Sequence, residues 1–227
     1  NTTEKKVPVG EQSLTIRYYT AEDSETEAAS AAVSLTLSPK QLTAAGLTAV
    51  DKFFDGTTAI EVNGPGTLSG IESGDDVALA DLAGTVETAN AGTDKPVTVT
   101  GALTGKDAGY YTLSRQPAGV TVNITPAPVT VSLELPQTAV SAGETVTITA
   151  GISGTVSGFD AAGTMELFVN GASAGSQTVS GNQAQFSWLA AKGEYTFQAK
   201  FTPAENGNYS AADSAEEHYS ITKELQE

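Results

Sequence analysis

Cysteine is absent from this 227-residue chain, and histidine, tryptophan and methionine occur once each. The missing thiols exclude disulfides, thiolate metal sites and thiol nucleophiles. They do not fix the compartment, because cytosolic proteins and exported proteins held by packing alone can both lack cysteine. Basic residues are also scarce, 11 against 27 acidic ones, for a formal net charge of −16. Nucleic acid and anionic membrane surfaces repel such a chain, so neither is expected as a partner. No apolar run reaches the roughly 18 residues that a spanning helix needs, so no membrane insertion is expected of this segment. No secretory leader is present, which would place any such segment outside these residues.

Glycine (23 residues) and threonine are plentiful, and the apolar runs between them are short. That composition favours strands joined by tight turns over long helices. Domains usually hold about 100–150 residues, so roughly two are expected, with a fragment of a third. The expected fold is all-β, with tandem Ig-like β-sandwich modules in an elongated arrangement.

An internal repeat organises the chain. Gly10-Glu11-Gln12-Ser13-Leu14-Thr15-Ile16-Arg17-Tyr18 aligns with Gly193-Glu194-Tyr195-Thr196-Phe197-Gln198-Ala199-Lys200-Phe201, and the match continues without a gap to Ala28-Ala29 over Ala211-Ala212. Both copies read as a strand, a polar turn-rich loop and a final strand. Tyr195, Phe197, Ala199 and Phe201 alternate with polar residues, the period of a strand with one wet face. Leu14, Ile16 and Tyr18 are the matching inner positions. Residues 1–38 are therefore expected to be the last two strands of a truncated Ig-like module, packing on a neighbour, since a lone hairpin is marginal in water. Leu37-Ser38-Pro39 and Ile124-Thr125-Pro126-Ala127-Pro128 read as short stiff junctions. Ile221-Thr222-Lys223-Glu224-Leu225 begins a third, so a piece of a longer array is expected.

Two modules follow, at 39–127 and 128–227. In the first, strands are expected at Leu42–Val50, Ala59–Val62, Val77–Leu82, Val97–Leu103, Tyr110–Leu113 and Val120–Ile124. In the second, Val129–Leu135, Val146–Ala150, Met165–Val169 and Ala184–Trp188 precede the repeat. Asn170-Gly171 between two β runs is a hairpin signal. Trp188 with Phe197 is expected to anchor the core. About seven short strands suit a two-sheet sandwich.

The first module resembles the YDG-type repeat of bacterial surface proteins. Lys52-Phe53-Phe54-Asp55-Gly56-Thr57-Thr58 is a variant of that family's signature, with Phe54 in place of a tyrosine. Ser73-Gly74-Asp75-Asp76-Val77, Asp107-Ala108-Gly109-Tyr110-Tyr111-Thr112-Leu113 and the exit at Ile124–Pro128 follow in order. The second module resembles a bacterial Ig-like repeat domain through its general pattern and Gly193-Glu194-Tyr195-Thr196-Phe197. The resemblance implies an extracellular chain, cell-attached or secreted, whose modules serve as stalk or adhesive segments. The alternatives are a module that binds a glycan or a host protein, and an accessory domain of a secreted hydrolase.

No catalytic constellation stands out, and neither enzyme activity nor a cofactor is expected. His218 lacks a Gly-x-Ser-x-Gly partner and reads as a solvated edge-strand residue. Asp51 with Asp55-Gly56 reads as a tight turn rather than a cation site. Glu72 with Asp75-Asp76 is the best acidic cluster and the candidate calcium site, although calcium wants six to eight oxygens. Lys52, Lys95 and Lys200 lie in polar contexts unsuited to an isopeptide bond. Tyr18, Tyr19, Tyr110 and Tyr111 could form a glycan platform, but alternation puts one of each pair inside.

Overall fold

Branched and aromatic residues alternating with Thr, Ser and Gln give strands, and strands dominate the computed structural model of this chain. The structure describes residues 6–20, 23–64, 66–114, 118–137 and 139–223. Among them there is no α-helix, and one 3-10 turn spans Ala108–Tyr110. The all-β expectation holds. The expected positions Ala21-Glu22 and Glu224-Leu225 lie outside the described residues.

The chain divides into two compact units. One comprises Asn1–Ala49, Glu61–Thr85 and Thr98–Val120; the other comprises Val50–Ile60, Val86–Val97 and Thr121–Glu227.

In the first unit, β1 (Gly10–Thr20) and β2 (Asp23–Leu37) form an antiparallel two-stranded ribbon. The loop expected between them is largely strand, since β2 starts at Asp23. Lys40–Ala45 pairs in parallel with Tyr111–Leu113 and antiparallel with Thr67–Ser69. Thr98–Thr104 pairs antiparallel with Ala78–Thr85. Leu42, Val99, Tyr111 and Val120 are buried. The strand expected over Leu42–Val50 is interrupted at Gly46, whose φ of +77° turns the chain. Tyr110 belongs to the 3-10 turn, so its strand begins at Tyr111.

In the second unit, Gly92–Pro96, Thr121–Thr125 and Lys52–Phe53 form a three-stranded sheet. Phe54, Ile60, Val86, Val97, Val122 and Ile124 are buried. The rest is a two-sheet sandwich. One sheet holds Thr130–Glu134, Thr145–Ser153 and Gln183–Leu189. The other runs from Ala172–Thr178 through Gly163–Val169 to Gly193–Pro203, which then pairs with Ala212–Asp213 and Glu217–Ile221. Ile148, Ala150 and Phe186 from one sheet and Met165, Leu167, Phe197 and Phe201 from the other are buried. Trp188 meets Phe197 edge to face at 5.2 Å between ring centroids, a favoured aromatic geometry. Asn170 and Gly171 both have positive φ (51° and 76°), as a type I′ turn demands, and they close the Val169–Ala172 pair.

A further expectation of the first unit is not met. Leu14, Ile16 and Tyr18 are exposed rather than buried. Alternation sorts side chains between two faces, but burial requires a second layer, and a two-stranded ribbon supplies none.

Candidate functional site

The densest polar cluster of the first unit is built on two turns. The Asp75 amide donates to the Glu72 carbonyl at 3.1 Å, and the Asp107 amide to the Asp76 carbonyl at 3.1 Å. The Asp107 carboxylate returns the second bond by accepting from the Asp76 amide at 2.9 Å. Lys6 enters between the acids. Its ammonium donates to Asp107 Oδ1 at 2.8 Å, pairs with Asp75, and lies 5.2 Å from the Tyr110 ring centroid. Tyr111 donates its hydroxyl proton to Asp75 Oδ2 at 2.6 Å and accepts from the Glu72 amide at 3.1 Å.

The charge states follow from these bonds. The Lys6 ammonium and then the Tyr111 hydroxyl hold Asp75 below the ordinary carboxylate range. The Asp76 amide and then Lys6 do the same for Asp107. Asp107 and Asp75 in turn raise Lys6 above the usual lysine value. Hydrogen bonding to Asp75 raises the Tyr111 phenol, which stays protonated at neutral pH.

The acids singled out in the sequence are thus divided among different partners. Glu72 pairs with Lys40, Asp75 with Lys6 and Tyr111, and Asp76 engages Asp107 through its backbone. Among the described residues, no group of three or more His, Cys, Asp or Glu is placed to hold a metal ion. The sequence reading missed Lys6 and Asp107 as members. Asp107 stood inside a family stretch already noted; Lys6 carries no local signal.

The signature turn lies in the second unit. Asp55 Oδ1 accepts from the Thr57 amide (2.8 Å), the Thr57 hydroxyl (2.9 Å) and Lys52 Nζ (2.7 Å). Partial burial pulls the Asp55 pKa up, but Lys52 and Thr57 together outweigh it and hold it below the ordinary value. Lys52 also donates to the carbonyls of Thr57 (3.0 Å) and Ala59 (2.9 Å). Asp51 accepts from the Asn123 amide (2.7 Å) and its side-chain nitrogen (2.9 Å). The motif is therefore a knotted turn, with Asp51 and Asp55 bound to different partners.

The turn carries Phe54 into an aromatic cluster. Its amide donates to the Thr125 carbonyl at 2.8 Å. Its ring meets Phe159 at 5.2 Å and Tyr209 at 5.6 Å, both edge to face. The Tyr209 hydroxyl donates to the Phe159 carbonyl at 2.7 Å and accepts from the Val156 amide at 2.9 Å.

Among the remaining candidates, His218, Lys95 and Lys200 lie at the surface. His218 lies exposed on Glu217–Ile221, with Nδ1 3.1 Å from the Thr196 hydroxyl. Lys95 donates to the Thr88 hydroxyl and the Asn90 carbonyl, and Lys200 pairs with Asp213 at 3.6 Å. Tyr111 is buried and Tyr18 exposed.

Residues 38–119 match the family model of the YDG domain. Curated proteins give no match. Among solved structures, the chain is similar to fibronectin(III)-like modules of Clostridium thermocellum CbhA at 17% identity, over 81% of this chain and 94% of that one, with a TM-score of 0.33. It is similar to the Yersinia pseudotuberculosis adhesin InvE at 17% identity, over 82% and 58%, with a TM-score of 0.32. A Ca2+-stabilized adhesin that helps an Antarctic bacterium reach out and bind ice aligns at 16% identity, over 96% and 58%, with a TM-score of 0.30.

Proposed function

We propose that this chain is a non-enzymatic structural segment of a bacterial cell-surface or secreted multi-domain protein, acting as a spacer or stalk. Its modules are drawn at 39–127 and 128–227, with 1–38 as the tail of a preceding one. The YDG-domain match over residues 38–119 supports the surface-protein reading. The observation that carries the spacer role is the join at Pro126–Pro128. A spacer must resist bending where modules meet, and this join is fastened by several independent contacts. Phe54, from before it, packs against Phe159 and Tyr209, from after it. Ala127 is buried, its amide bonded to the Asn208 carbonyl and its carbonyl accepting from the Ser210 amide. The Asn208 side chain accepts from the Ala91 amide at 2.9 Å.

Small-angle scattering tests the role. A stalk segment gives a rod-like particle, and Phe54→Ala with Tyr209→Ala broadens its distance distribution by loosening the join. A compact particle that the double substitution leaves unchanged would sink the proposal.

A further inference from the structure

The internal repeat has a structural counterpart. β1 covers the 11 residues that align with Gly193–Pro203. Near the turn the pairings coincide: Tyr18 pairs with Ala29 as Phe201 does with Ala212, and Arg17 with Ser30 as Lys200 does with Asp213. Farther from the turn the registers differ by one residue. Gly193 pairs with Ile221, whereas Gly10 pairs with Leu37, one position short of the aligned Ser38. In the second unit the extra residue is taken up beside Ser214, whose hydroxyl accepts from the Ala199 amide. In the ribbon the tighter register puts Val33, Leu35 and Leu37 on the face of Leu14, Ile16 and Tyr18, as a hydrophobic pattern selects its register.

The two copies differ in burial. Phe197, Ala199 and Phe201 are 1, 0 and 1% exposed, while the aligned Leu14, Ile16 and Tyr18 are 58, 57 and 66% exposed. With Val33 and Leu35, 47 and 52% exposed, they form one contiguous open face, unlike the apolar residues that a monomer surface scatters singly. The second unit shows what such a face receives. Gly163–Val169 pairs antiparallel along the other edge of Gly193–Pro203, and the Thr145–Ser153 and Gln183–Leu189 strands supply the facing sheet.

We propose that the apolar face and outer edge of β1–β2 are a docking surface for the first five strands of an immunoglobulin-like module lying ahead of it in the same polypeptide, which the ribbon completes. The occupant presents one antiparallel edge strand to β1 and a Val-, Ile- and Phe-rich sheet to Leu14, Ile16 and Tyr18. Its strands are equivalent to those from Thr130–Glu134 to Gln183–Leu189. The proposal rests on the reading of residues 1–38 as the tail of a preceding module and not on the spacer role, since an accessory module of an enzyme would complete itself in the same way.

An extended chain tests it, with residues 128–192 joined directly ahead of Gly10 and the sequence running on to residue 227. In the 227-residue chain, an apolar dye binds and the β1 amides pointing away from β2 exchange rapidly. In the extended chain those amides slow by about 100-fold or more and dye binding falls, as for strands brought into a cooperative core. Ile16→Asp reverses both effects in the extended chain and leaves the melting temperature of the 227-residue chain unchanged. A reciprocal chain, with residues 10–38 replacing 193–221, guards against a local packing failure and unfolds cooperatively. Failure of both grafts to fold, or already slow β1 exchange in the 227-residue chain, would overturn the inference. So would a concentration-dependent dimer of that chain abolished by Ile16→Asp, which would make a second copy the occupant.

Discussion

The Lys6 cluster turns single proton equilibria into stability. Asp75 and Asp107 titrate below the ordinary carboxylate value in the folded chain. Their contribution is therefore present above about pH 4, the unfolded carboxylate value, and is lost as pH falls through the lowered folded values. Lys6 and Tyr111 are raised, so theirs is present below about pH 10 and fades only in stronger alkali. Lys6→Met should lower the melting temperature of the first unit on that plateau, and the gap from the parent should close in acid. A gap that persists undiminished after both carboxylates are protonated would refute the charge account. Because ammonium groups already pair with Glu72 and Asp75, millimolar calcium should leave the melting temperature unchanged; a rise of several degrees would show that the ion displaces Lys6 or Lys40. At the signature turn, Gly56 has a φ of +75°, and an added Cβ would lie 2.8 Å from Phe159 and 2.9 Å from Val156. Gly56→Ala should cost about 2 kcal/mol, combining left-handed strain with overpacking, as read by denaturant unfolding.

At the scale of elements, turn chemistry decides pairing. Gly171→Val places a β-branched residue at a φ of 76° and should cost about 1–2 kcal/mol. The loss should fall on the Gly163–Val169 and Ala172–Thr178 pair, read as faster amide exchange there. The sequence announced this hairpin because Asn-Gly is a local code and its flanking runs alternate. Thr145–Ser153 and Gln183–Leu189 were legible for the same reason. Lys52–Phe53, Thr67–Ser69 and Gly92–Pro96 were not, because strands of two to five residues with polar or glycine-rich content hold too few positions to show a period. Their pairing comes from neighbours distant in the chain, as when Ile124 meets Lys52 in parallel. The acidic turns of the candidate site were visible as Glu72, Asp75 and Asp76. Their partners Lys6 and Lys40 were not, since an ion pair between distant residues leaves no mark on spacing.

At the scale of the whole molecule, contacts and chain order part company. Phe54 lies inside the 38–119 family match, yet packs with the C-terminal part of the chain. Phe54→Ala should therefore destabilise the second unit by about 3–5 kcal/mol, the usual cost of emptying a buried phenylalanine site. Amides of Thr145–Ser153 should then exchange faster; unchanged exchange there would show that the aromatic cluster does not couple into the sandwich. Sequence alone could not give this division, because the signature motif is local and its aromatic partners Phe159 and Tyr209 are not. The division also sets an order in time. The polypeptide passes between the two units at 49/50, 60/61, 85/86, 97/98 and 120/121. During synthesis Asp51 emerges 72 residues before the Asn123 that binds it, and Phe54 leaves the ribosome long before Tyr209 exists to meet its ring. The small sheet of Lys52–Phe53, Gly92–Pro96 and Thr121–Thr125 can therefore close soon after residue 125 has emerged, whereas the aromatic face of Phe54 stays uncovered until nearly the whole chain has been made.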